Sequence, residues 1–223
     1  MVMENLLTLT KFRKQGLNLM SISRKTKKNE IGNLGFGFYC SNPNLFILEK
    51  DLISRKINRL LDCFGYKPER VVFSSISLNF CINQLISSNT YIVEVEKEYI
   101  EAAFTLLKEK FGDLVLLKPS DKDKVLYWEQ NKIYVVELFK RSPVNKDGTM
   151  AIEKLIVDLL FDKNLSSLYS GKDIESAIEV LCTKYCINYK TLFAYAKRRN
   201  RGKELYSYIS KYIPKQILEF ITI

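Results

Sequence analysis

Three acidic groupings in this sequence have spacings that could hold a divalent cation. Glu94, Glu96 and Glu98 follow a β-branched run, and many metal-dependent nucleases set an acid, one spacer and a lysine at such a strand end. Here Val95 stands two before Lys97, so the pattern misses by one position. Asp121 and Asp123 form the DxD pair used by nucleotidyltransferases, but no Gly-Ser turn precedes it and Lys122 and Lys124 surround it. A solvated loop or helix start is expected there. Glu153 and Asp158 fall on the polar side of an otherwise apolar stretch and are expected to be exposed. The sequence contains no histidine, which excludes every His-based general base, His-paired nucleophile and His-containing metal site. It also lacks a Walker loop, a GxGxxG and a GxSxG. Cys40, Cys63, Cys81, Cys182 and Cys186 are an odd, scattered set that reads as free thiols. Cys182 and Cys186 could share a helix face, but a structural zinc wants four ligands and no second pair exists. The expectation is a protein with no catalytic residues, no metal, no cofactor and no small-molecule substrate.

The basic groupings are stronger. Lys and Arg number 35 against 25 Asp and Glu, a net charge of +10 that favours polyanions or an acidic protein as partner. Residues 1–35 carry seven basic and two acidic side chains, 36–150 sixteen and fifteen, and 151–223 twelve and eight, giving +5, +1 and +4. Arg24, Lys25, Lys27 and Lys28 sit just before a glycine-rich stretch and are candidate nucleic-acid contacts, because a cationic hairpin beside a small helix is how a winged module touches phosphates. Lys197, Arg198, Arg199, Arg201 and Lys203 are candidate partner contacts near the other end. Tyr189, Tyr195, Tyr206, Tyr208 and Tyr212 are interleaved with them, the mixture found in nucleic-acid grooves and in protein interfaces. Tyrosines packing helices while the cations stay solvated would give the same composition.

The elements that must position these groups can be read from periodicity. Gly32, Gly35 and Gly37 suit a tight hairpin within Ile31–Tyr39. Ile53, Ile57, Leu60, Leu61 and Phe64 keep one helix face, and Gly65 is placed to cap it. Val71–Ile76, Tyr91–Val95, Leu114–Leu117 and Ile133–Leu138 read as buried strands. Between them, helical stripes run through Leu78, Cys81, Ile82, Leu85 and Ile86, and through Ile100, Ala103, Phe104 and Leu107 as far as Gly112. Alternating strands and helices predict an α/β layer with a parallel βαβ unit. After the turn-rich connector Ser142–Gly148 the pattern is all helix, with Pro214 stopping or kinking the last one and Lys215–Ile223 left to dock or fray. The fold class is therefore α/β (α+β): a small mixed sheet with flanking helices, then a C-terminal helical subdomain, preceded by a short basic hairpin. The divisions fall at 1–40, 41–148 and 149–223. No run of 18 apolar residues occurs and the first fifteen residues are charged, which predicts a cytoplasmic protein away from membranes.

From Gly37 to Lys211 the sequence resembles the AbiEi-type proteins, the antitoxin and transcriptional-regulator components of type IV toxin–antitoxin pairs in abortive infection by phage. The resemblance rests on Tyr91-Ile92-Val93-Glu94-Val95-Glu96-Lys97, Leu117-Lys118-Pro119-Ser120, Ala151 to Leu160, Tyr185-Cys186-Ile187-Asn188 and Tyr195-Ala196-Lys197-Arg198-Arg199, in that order. It implies a non-enzymatic protein that restrains a cognate nucleotidyltransferase-like toxin and carries an N-terminal winged helix-turn-helix that represses its own operon; for this chain weak DNA binding is expected. Three helices at the usual ~11 residues would fill nearly all the chain before Gly37, so residues 1–40 are expected to hold only a truncated remnant of that module, with Phe36 where such wings commonly carry Arg. Two other classes remain open on the residues alone: a divergent metal-dependent nuclease or nucleotidyltransferase, and a plain nucleic-acid-binding module.

Overall fold

The computed structural model describes residues 6–64, 69–126 and 131–221. In chain order these form β1 (Leu6–Thr8), α1 (Leu9–Lys14), α2 (Leu19–Lys27), β2 (Ile31–Gly35), β3 (Phe38–Ser41), α3 (Leu52–Leu61), β4 (Arg70–Ser74), β5 (Thr90–Val95), α4 (Ile100–Phe111), β6 (Val115–Leu117), α5 (Asp121–Leu126), β7 (Lys132–Glu137), α6 (Ile152–Phe161), α7 (Lys163–Ser166), α8 (Gly171–Lys184), α9 (Tyr189–Arg198), α10 (Gly202–Ile209) and α11 (Lys215–Leu218). The expected α/β class holds, with two small sheets in place of one. These elements gather into two compact units. One takes the chain up to Ile47, Ile152–Phe161 and everything from Glu175 on; the other takes Leu48–Ala151 and Asp162–Ile174. The basic start and the late helices, read as separate segments in the sequence, thus belong to one unit.

The second unit is built on a four-stranded sheet of order β4-β5-β7-β6. β4 runs antiparallel to β5, whereas β5 and β6 both run parallel to β7, so the expected βαβ connections are present. All six residues of β5 are buried, which is why it reads as a nearly unbroken apolar run. On one face Tyr91, Val93, Val95, Ile133 and Val135 meet Ile57 and Leu61 of α3 and Ile100, Ala103 and Leu107 of α4. Each Val, Leu or Ile among them contributes about 1.5–3 kcal/mol by leaving water. Gly112 ends α4 with φ of +60°, as expected from its position. Gly65, expected to cap α3, lies outside the described residues.

Asp51 fastens the other end of α3. One carboxylate oxygen accepts the Ser54 N–H at 2.7 Å as an N-cap, and the other accepts from Ser74 Oγ at 3.1 Å, Asn89 Nδ2 at 3.2 Å and Tyr91 Oη at 3.0 Å. Burial and this carboxylate push the Tyr91 hydroxyl well above its ordinary pKa.

The helix expected through Leu78–Ile86 does not form. A 3-10 turn at Ser75–Leu78 gives way to irregular chain. Short polar side chains outbid the helical ladder here. Asn79 donates to the Ile86 carbonyl at 3.1 Å and accepts its N–H at 3.1 Å, while Asp173 Oδ1 accepts the N–H groups of Asn83 at 2.8 Å and Gln84 at 3.1 Å.

In the first unit α6 is the central helix. Leu155, Ile156, Val157 and Leu159 are fully buried, and Leu181, Leu192, Tyr195, Ala196, Leu205, Ile209 and Ile217 supply the rest of the helical core. Lys215–Leu218 docks instead of fraying, because Ile217 is buried and Phe220 lies against Phe36 and Phe38 with centroids 6.3 and 5.6 Å away.

Candidate nucleic-acid interface

Residues 6–41 contain more structure than their composition suggests. β1, β2 and β3 form an antiparallel sheet of order β1-β3-β2, with two helices between β1 and β2. The helices fit into so little chain because they are six and nine residues long and each is capped at both ends. Thr8 Oγ1 accepts the Lys11 N–H at 3.3 Å, and Asn18 Oδ1 accepts that of Ser21 at 2.8 Å. At the end of α1 the N–H groups of Gly16 and Leu17 reach back to Arg13 and Phe12, and Gly16 adopts φ of +75°. At the end of α2 Asn29 and Glu30 bond Thr26 and Lys25 in the same way, with Asn29 at φ of +59°. Both are Schellman closures. Between the helices lie only Gln15, Gly16, Leu17 and Asn18, the length of a helix-turn-helix connection.

A small core makes this arrangement stand. Phe12 of α1, Ile22 of α2 and Ile31 of β2 are buried together with Leu7, Leu9, Leu17 and Tyr39 around them, and the Phe12 and Tyr39 rings meet edge-on at 5.5 Å. With Ile22 facing inward, the opposite side of α2 presents Leu19, Met20, Ser23, Arg24 and Lys27, all exposed. Their spacing of i, i+1, i+4, i+5 and i+8 is one helix face.

The structure therefore places the four predicted cations on α2 and its C-cap, not on the hairpin. Arg24 and Lys27 lie on the outward face and Lys28 is the exposed C-cap; Lys25 is half-buried and pairs with Glu30 at 3.1 Å. Lys11, Arg13 and Lys14 of α1 are exposed as well, so residues 6–41 carry seven cations against Glu30 alone. The hairpin itself has none between Ile31 and Ser41. Its tip, Gly35-Phe36-Gly37, turns through φ values of +88°, +53° and +83°. It is docked within its own unit: an added Cβ on Gly35 would lie 2.7 Å from the Lys190 nitrogen, and Phe36 stacks on Phe220.

The second predicted cluster divides. Lys197, Arg198, Arg201 and Lys203 are exposed, Arg201 pairing with Glu204 at 2.7 Å. Arg199 turns inward to a network that the sequence reading missed. Lys154 and Asp158, one turn apart on α6, form a buried ion pair; Arg199, the C-cap of α9, bonds the same carboxylate. Tyr195 Oη donates to Asp158 at 2.9 Å and accepts from Arg199 at 3.1 Å. Arg198 lies over the Tyr195 ring at 5.8 Å. Glu153 and Asp158, expected to be exposed, thus serve other ends: Asp158 is 1% exposed, and Glu153 accepts the Asn188 N–H at 2.9 Å. Burial raises the Glu153 carboxyl above the usual carboxylate range. The reason is that α6 is enclosed on nearly every side, so its polar residues must pair with one another or with backbone. A lysine and an aspartate four apart in a run apolar on all faces were the available signal.

The acidic groupings do not converge. Glu94 is buried in β5 while Glu98 is exposed beyond it, and Asp123 accepts the Ser120 N–H and hydroxyl at 2.8 and 2.7 Å as a helix-start cap. Among the described residues no three His, Cys, Asp or Glu side chains gather as metal ligands. A cleft of about 680 Å³ in the second unit is lined by Ser75, Thr90, Lys124, Tyr134 and Asp173. Asp173 is already committed to the backbone of Asn83 and Gln84, and Ser75 Oγ to Asn89 and Thr90.

Fold and surface together define an α/β protein that carries a cationic strand–helix–turn–helix–hairpin segment at its start. The chain belongs to a family of unknown function, DUF6577, whose model matches residues 19–215. No curated protein matches it. Among the described residues no helix is long and apolar enough to cross a membrane.

Proposed function

We propose that this protein is an AbiEi-like antitoxin and regulator that binds DNA through α2 and restrains a nucleotidyltransferase-like toxin with the remainder of the chain. One observation carries the DNA-binding half. Two capped helices joined by four residues, followed by a hairpin in a sheet of order β1-β3-β2, present an outward face with Arg24 and Lys27 and seven cations overall. A helix-turn-helix lays its second helix in the major groove, its first turn toward base edges and its cations toward phosphates. In that pose Leu19, Met20 and Ser23 meet bases, and apolar side chains favour thymine methyl groups. The docked, uncharged hairpin leaves phosphate contact to the helices.

The antitoxin half rests on the sequence resemblance, and the structure adds one supporting fact. Two of the resembling blocks, around Lys154–Asp158 and Tyr195–Arg199, meet in one buried network, with Arg198, Lys197, Arg201 and Lys203 displayed at its edge. Such cations suit an acidic patch on a protein partner. The test has two arms. The chain is titrated against duplex DNA from upstream of its own gene and against a shuffled duplex, and it is co-expressed with a nucleotidyltransferase-like protein encoded beside it. Preference for the upstream duplex and relief of growth arrest are expected. Equal, salt-insensitive binding would remove the DNA reading, and growth arrest without relief would remove the antitoxin reading.

A further inference from the structure

Cys40 on β3 and Cys186 after α8 are 146 residues apart in sequence, yet their sulfurs lie 3.6 Å from each other in the interior of the first unit. Cys40 is 1% and Cys186 8% exposed. Their backbones are held in place independently of the thiols. The Cys186 N–H donates to the Asn44 carbonyl at 2.8 Å, and the Asn44 side chain donates to the Lys184 carbonyl at 2.8 Å, so the chain just beyond β3 is tied to the segment carrying Cys186. Gly32, the partner of Cys40 across the β2–β3 ladder, leaves the room both sulfurs occupy. A Cβ there would stand 2.4 Å from Cys186 Sγ and 2.7 Å from Cys40 Sγ.

We propose that Cys40 and Cys186 are a redox pair that closes to an intramolecular disulfide when the protein meets hydrogen peroxide. A disulfide needs the sulfurs at ~2 Å, an approach of about 1.5 Å from their present separation. The two thiols are differentiated for the two steps. The hydrogen bond from Cys186 outweighs burial and draws Cys40 below the ordinary thiol range, whereas that same contact, burial and the neighbouring Glu153 carboxylate push Cys186 up. The Cys40 thiolate attacks one peroxide oxygen; the O–O bond breaks, hydroxide leaves and takes up the proton Cys40 released, and a sulfenic acid remains. The Cys186 sulfur then attacks the Cys40 sulfur, its proton goes to the departing hydroxyl, and a second water is released. Two electrons pass from the sulfur pair to the peroxide. The bond fastens β3, the middle strand of the sheet that carries α1 and α2, to the segment following α8.

The test uses the full chain with Cys63→Ser, since Cys63 is the exposed thiol and would otherwise form bridges between molecules. After peroxide treatment, free thiols counted in denaturant should fall from four to two, and the intact mass should drop by about 2 Da. Peptide mapping should join Cys40 to Cys186, and dithiothreitol should reverse both changes. On a non-reducing gel the oxidised chain should run faster, because the bridge closes a 146-residue loop. With Cys186→Ser added, the mass should instead rise by about 16 or 32 Da at Cys40, the fate of a sulfenic acid with no resolving thiol. A bridge involving Cys81 or Cys182, or four thiols surviving peroxide that oxidises free cysteine, would overturn the proposal.

Discussion

Removing the exposed cations of α2 is the most informative perturbation of the proposed DNA contact. Arg24 and Lys27 lie on the outward face, Lys28 is the C-cap, and Lys25 sits beside them, half-buried and paired with Glu30. If all four meet phosphates, the slope of log affinity against log salt is about −3.6 at ~0.9 per phosphate. Raising salt from 50 to 200 mM then weakens binding roughly 150-fold. Changing Arg24, Lys27 and Lys28 together to Gln removes three of these four contacts, so the slope falls in magnitude by about 2.7 and the same salt step costs roughly 40-fold less. Glutamine is as good a helix former as lysine or arginine, so α2 and its caps persist. Fluorescence anisotropy with a labelled duplex at four salt concentrations gives the slope, and circular dichroism confirms unchanged helix. A triple variant that keeps the parent slope would refute the assignment of α2 to DNA. So would a slope that collapses only when Lys197, Arg198, Arg201 and Lys203 are changed, because the phosphates would then lie on the other cluster.

Three further outcomes follow from the contacts described. Asp158→Asn leaves Lys154 buried beside a neutral amide and should destabilise the chain by about 3–5 kcal/mol, read as a lower urea midpoint, whereas loss of Lys197 from the surface should change stability by under ~0.5 kcal/mol. Because burial raises the folded-state pKa of Glu153, its stabilising share is fully present below the ordinary value of 4.5 and is lost as pH rises through the raised one; Glu153→Gln should therefore flatten the fall in stability between those two values while matching the parent in acid. An unchanged pH profile would show that Glu153 titrates normally. Asn18→Ala removes the α2 cap and should cost about 1 kcal/mol, with a larger proportional loss of DNA affinity than of overall stability, measured by urea melting and anisotropy on one preparation.

What the sequence settled alone was whatever a one-dimensional pattern encodes. The buried run Tyr91–Val95, the stripes of α3 and α4 and the Gly35–Gly37 turn are local signals, and they appear where period and turn chemistry put them. Two kinds of feature were illegible. Short elements were the first: α1 and α2 are six and nine residues long and bury little beyond Phe12 and Ile22, so no period is sustained, and their caps and the sheet of β1, β2 and β3 define them. Competition between elements was the second. The apolar spacing of Leu78–Ile86 promised a helix, but the carboxylate of Asp173, ninety residues away, holds that backbone in another course. Charge showed the same limit. Arg198 and Arg199 are neighbours in sequence, yet one lies exposed over Tyr195 while the other reaches inward to Asp158. Cys40 and Cys186 likewise become partners only because β3 and the end of α8 pack in the same unit. Side-chain type and spacing fix what each residue is able to do, but partnership depends on long-range packing, and in this chain packing decided which cations face solvent and which hold the core.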